Sequence, residues 1–196
     1  MSRDEPGQQH HRLQRAVLGV ALLNLAYFGV EFGVALTIQS VSLFADSIDF
    51  LEDACVNFLI FFALGWQPQR RARVGMLLAG VLLIPALATL WSLVQKFTAP
   101  LTPDPQSLSL TGLGALAVNL FCAVWLARFR HHGGSVAKAA FLSARNDALA
   151  NIAIILAGWV TAVQPSPWPD VVVGAGILMI NLDAAREVYT TARREL

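Results

Sequence analysis

Charge is scarce in this chain. Of its 196 residues only 14% are Asp, Glu, Lys or Arg, while 56% are hydrophobic, which excludes an ordinary soluble domain, where about a quarter of residues are charged. A bilayer is the natural solvent for such a composition. Cysteine is scarcer: Cys55 and Cys122 sit in separate apolar segments without CxxC spacing. That excludes a disulfide framework and a soft-metal site, and leaves two small buried side chains. Connections long enough to hold a soluble domain are missing too. The GAG at 174–176 is not a phosphate loop, and nothing points to nucleic acid or to an organic cofactor. A net charge of +1 carries no information about partners, because in a membrane protein it is the placement of Lys and Arg that matters.

Apolar stretches are what the chain has. A spanning helix needs about 20 mostly apolar residues, and such stretches recur at 16–37, 41–65, 74–96, 109–128, 137–162 and 169–188. The expectation is an all-α membrane protein, a six-transmembrane-helix bundle occupying 14–190, with a short cytoplasmic tail at 1–13 and another at 191–196. The first stretch exceeds the usual signal h-region and lacks a cleavage site, so it reads as a retained helix. Arg3, Arg12 and Arg15 precede the first span; Arg70, Arg71 and Arg73 follow the second. Arg128, Arg130 and Lys138 flank the fourth and fifth, and Arg186, Arg193 and Arg194 close the chain, leaving Lys96 alone at the opposite surface. Both termini are therefore expected in the cytoplasm, as an even number of spans allows, in a multi-pass protein of a bacterial inner membrane. Pro100, Pro103 and Pro105, then Pro165, Pro167 and Pro169, mark two of the loops. Trp66, Trp91, Trp159 and Trp168 lie near span ends, at headgroup level.

The second stretch is anomalous, for it contains Asp46, Asp49, Glu52 and Asp53. An ionised carboxylate near the bilayer centre costs at least about 2.5–3.5 kcal/mol, so such groups persist where they face a bundle interior, water or a cation. Ser42, Asp46, Asp49, Asp53 and Asn57 step by three or four and share one helix face, with Glu52 to one side. Ser143, Asp147 and Asn151 repeat the device in the fifth span, and Asn24, Tyr27 and Glu31 share a face of the first. If the second and fifth helices pack face to face, Asp49, Asp53, Ser143 and Asp147 converge as a four-ligand cage. Crowded carboxylates repel one another, so without a metal some hold protons, and metal entry displaces them. That competition is the seed of metal-for-proton exchange.

The bland alternative is that these acids pair with Arg145 or cap broken helices. Arg145 itself either neutralises Glu52, Glu31 or Asp46, or snorkels to the cytoplasmic surface. His131 and His132, with His10 and His11, form two pairs on the cytoplasmic side that are either a secondary metal site or simply solvated. Gly33, Gly80, Gly112, Gly114, Gly158, Gly174 and Gly176 are small enough to let helices approach closely.

VEFGVALTIQSVSLFADSIDFLEDA resembles the first-to-second helix signature of the cation diffusion facilitators, six-helix exporters of zinc and related divalent metals. In that pattern Asp49 and Asp53 take ligand positions. AFLSARNDALANIAIILAGWV is similar to the fifth-helix signature, its ligand positions falling on Ser143 and Asp147, and WPDVVVGAGILMI resembles the sixth helix with its opening acid at Asp170. The resemblance implies alternating-access export of cytoplasmic metal in exchange for protons by a homodimer. The chain departs from the family in three respects. Ser143 stands where the family has His or Asp; QPQRRARVGM lacks the usual His, Gly and acidic pattern; and no cytoplasmic metal-sensing domain follows the sixth helix.

Three carboxylates and a hydroxyl form a hard site, which tilts toward manganese, ferrous iron or magnesium, whereas family frequency tilts toward zinc, cobalt and cadmium, the first expectation here. The alternative is a non-transporting metal-binding membrane protein, a sensor or partner subunit. A membrane-embedded enzyme is disfavoured because Ser143 has no His or Lys on its face to act as base. The expected partners are the lipid bilayer, a divalent cation, protons and a second copy.

Overall fold

A computed structural model describes residues 6–63, 87–127 and 134–194; at 6–11, 13, 63, 134–145 and 184–194 it describes the helical backbone alone. Among these residues the regular structure is entirely helical: α1 (Pro6–Ile38), α2 (Val41–Ala63), α3 (87–98), α4 (Pro105–Ala127), α5 (Gly134–Val163) and α6 (Trp168–Arg194). Most of the predicted third span, and the basic residues of 64–86 and 128–133, lie outside the described residues. α1 begins well before the apolar run that opens at 16 and takes in much of the segment expected as a tail.

Local chemistry sets the helix ends. α1 stops at a left-handed Gln39, φ 53°, where the Ser40 N–H reaches back to the Ala35 carbonyl at 3.0 Å, a Schellman-type closure that satisfies a terminal carbonyl. Ser40 then caps α2, its hydroxyl accepting the Leu43 N–H at 3.1 Å. The turn from α1 to α2 is thus two residues long. Asp104 caps α4 by accepting the Ser107 N–H at 2.7 Å, with Pro105 at the first helical position, where its missing N–H costs nothing. Hydrogen bonds from Ser107 hold the exposed Asp104 carboxyl below the usual carboxylate range.

Three stretches are long and apolar enough to cross a membrane among the described residues: Gln14–Ile38, Pro105–Ala127 and Asn146–Val163. α2 is interrupted by its four acids. The bundle is apolar outside as well as inside, as lipid requires: Leu22, Phe62, Leu110, Phe121, Trp159 and Met179 are all exposed, while Leu43, Ile48, Leu108, Ile154 and Ile177 bring four helices together in one core.

Small residues decide which helices touch. Among the described residues α4 and α5 make the most extensive helix contact, running antiparallel, and a Cβ at Gly158 would stand 3.1 Å from the Pro105 carbonyl oxygen. α2 and α6 run parallel, and a Cβ at Gly174 would stand 2.8 Å from the Ser42 nitrogen. Without a hydrophobic drive between helices in lipid, such backbone approach is what permits packing and hydrogen bonding.

Candidate metal centre

The polar stripe of α2 faces the bundle. Ser42, Asp46 and Asn57 are buried, and Asp49, Glu52 and Asp53 are partly buried. Asp147 on α5 is partly buried in turn. The Asp49 carboxyl lies within electrostatic reach of Asp147, and Asp147 within reach of Asp53, Asp46 and Glu52. α2 and α5 therefore do bring their acids into one region. The contact between the two helices is short, however, and among the described residues no three His, Cys, Asp or Glu side chains close tightly enough to hold one ion.

α5 carries Ser143 and Arg145 on its helical backbone, but both side chains lie outside the described residues, as do His131 and His132 entirely. Asn57 and Asn151 play matching parts. Each donates its amide to the carbonyl one turn back, Asn57 to Asp53 at 2.7 Å and Asn151 to Asp147 at 2.7 Å. Each amide N–H thereby finds an acceptor within its own helix, while the buried Asn151 Oδ1 has no donor among the described residues.

The shared face of α1 divides its attention. Asn24 is buried, and its Oδ1 accepts the Cys122 thiol of α4 at 3.7 Å. Tyr27 donates its hydroxyl to the Thr111 carbonyl at 2.7 Å and packs its ring 5.0 Å from that of Phe50. These two tie α1 to its neighbours. Glu31 and Asp46 are both fully buried with their carboxyls beside one another, and no other described residue donates a hydrogen bond to either.

Two contributions from α6 were invisible in the stripe of α2. Asp170 accepts four hydrogen bonds at the start of α2: from the Ser40 hydroxyl at 2.6 Å, the Ser42 hydroxyl at 2.6 Å, the Val41 N–H at 2.9 Å and the Ser42 N–H at 3.1 Å. A carboxylate at a helix N-terminus meets its unsatisfied N–H groups and its positive dipole end. Further along, Asn181 Nδ2 donates to Asp49 Oδ1. Asp170, Gly174, Ile177 and Asn181 fall at i, i+4, i+7 and i+11, one face of α6, and that spacing was the signal available in the sequence.

Residues 17–196 match the family model of the cation efflux transmembrane domain. The chain belongs to the cation efflux family. It is a multi-pass integral membrane protein, and divalent cations are the substrate that this transporter family moves. No curated protein matches the chain. For a cation efflux protein the question becomes where a double positive charge can rest inside an apolar bundle, and the acids of α2 and α5 are the candidates that the fold offers.

Proposed function

We propose that this cation efflux protein exports zinc-type divalent cations from the cytoplasm in exchange for protons, with Asp49, Asp53 and Asp147 as carboxylate ligands and Ser143 as the fourth. The observation that carries the reading is the mutual electrostatic reach of acids on two different membrane helices, Asp49 and Asp53 on α2 and Asp147 on α5. Drawing α5 onto α2 completes the cage, and separating them opens it, which is how one site serves two sides of a membrane. Protons and a metal ion compete for the same carboxylates, so loading from one side and discharge at the other couples the two fluxes.

The distribution of Lys and Arg supports cytoplasmic termini in a cytoplasmic membrane, and the likeness of the signature segments to cation diffusion facilitators supports a homodimer. The harder donor set makes manganese and ferrous iron the competing substrates.

The test is flux in proteoliposomes across zinc, cobalt, cadmium, manganese and ferrous iron, with a pH dye inside. Zinc-type flux with opposite proton movement is the expected result. Binding without flux would make the protein a sensor instead, flux without a pH change would remove proton exchange, and a preference for manganese or iron would reassign the substrate.

A further inference from the structure

Asp49 is a proposed ligand whose carboxyl is held from a third helix. Its Oδ1 accepts the Asn181 amide of α6, and α6 is itself locked in register against α2 by the Asp170 clasp and by the close approach at Gly174. Ile177, between these two positions on the same face, is buried in the core shared with Leu43 and Ile48. Asn181 is therefore presented to Asp49 by three fixed contacts along one stripe. Asn181 stands in the apolar run GILMINL, where an unsatisfied polar group is costly, and Asp49 supplies the acceptor.

The geometry points to Asn181 as a positioning and specificity-determining residue of the transport site. Its N–H engages Oδ1, which disfavours binding through both oxygens and leaves Oδ2 the less encumbered donor that Asp49 offers to a cation. The inference rests on the reading of Asp49 as a ligand. A one-oxygen carboxylate suits a four-coordinate ion of the zinc type, whereas ions that favour six or more oxygens gain from a carboxylate free to bind through both. Asn181 thereby does for Asp49 what outer partners do for metal ligands generally: it fixes the orientation and the number of donor atoms.

The test is transport kinetics of the full chain in proteoliposomes with zinc and with manganese, for Asn181→Leu, Asn181→Gln and Asp49→Ala. Asn181→Leu is expected to raise the zinc KM by about 10–100-fold, the range seen when an outer partner of a metal ligand is removed. The maximal rate changes far less, and the manganese KM moves little, so the preference for zinc over manganese narrows about tenfold or more. Asn181→Gln keeps the amide and is expected to restore most of the zinc preference. If the Leu variant does not insert, Asn181→Ala takes its place. Unchanged zinc and manganese KM values in Asn181→Leu, with flux abolished in Asp49→Ala, would overturn the role of Asn181 alone. A proportional loss of rate for both metals would also overturn it, since that is the signature of a damaged fold. Full flux in Asp49→Ala would remove the ligand reading and this inference together.

Discussion

Asp170 and Ser42 meet across the α2–α6 interface through a single carboxylate oxygen: Oδ1 accepts both the Ser42 hydroxyl, at 2.6 Å, and the Ser42 N–H, at 3.1 Å. The acid-bearing helix α2 is anchored at its first turn by an acid from the last helix. Asp170→Ala leaves buried donors at Ser40, Val41 and Ser42 without their acceptor, each an expense of about 1–3 kcal/mol, not additive. A loss of roughly 3 kcal/mol or more in detergent unfolding is expected, with Asp170→Asn less damaging because a carbonyl oxygen still accepts. Equal stability of Asp170→Ala and the parent would show that the clasp contributes nothing.

Gly174 and Gly176 offer a matched comparison. A Cβ at 174 meets the backbone of Val41 at 2.9 Å, but one at 176 meets nothing within 4 Å among the described residues. Gly174→Ala forces α6 away from α2 and is expected to destabilise by about 1–3 kcal/mol and to slow transport. Gly176→Ala is expected to be silent in both. Thermal unfolding and flux measured side by side decide it, and identical behaviour of the two variants contradicts the packing account.

The inward-facing polar stripe of α2 was legible in the sequence, and the reason is that helical periodicity displays what one helix does alone. Ser42, Asp46, Asp49, Asp53 and Asn57 advertise a buried polar face because an apolar span has no other use for them, and Ser143, Asp147 and Asn151 do the same more sparsely. What one helix does to another is not displayed. Spacing placed Asn24, Tyr27 and Glu31 on a common face, yet Asn24 and Tyr27 turn to α4 while Glu31 turns to Asp46. Asn181 is a lone amide whose meaning depends on α6 lying parallel to α2, and Asp170 opens a helix in a way that looks like ordinary capping of its own N-terminus. Its four donors come instead from residues 40–42, at the far end of the chain's connectivity.

Outside the spans, Asp104 gives a pH readout of helix capping. Its carboxyl is stabilised in the ionised form by hydrogen bonds from Ser107, so its folded-state value lies below the ordinary one. The capping contribution is present above the ordinary value of 3.8 and disappears as pH falls through the depressed folded value. The Ser107 amide resonance in detergent micelles should titrate below pH 3.8, and Asp104→Asn should abolish the titration. An inflection above the ordinary value would contradict the cap.

Whether carboxylates of α2 and α5 share one transported ion is decided by zinc uptake into everted vesicles with Asp49→Ala, Asp53→Ala and Asp147→Ala. Each variant is expected to insert at parental levels and to fall to the uptake of vesicles lacking the protein. Parental uptake by all three would contradict a shared ion.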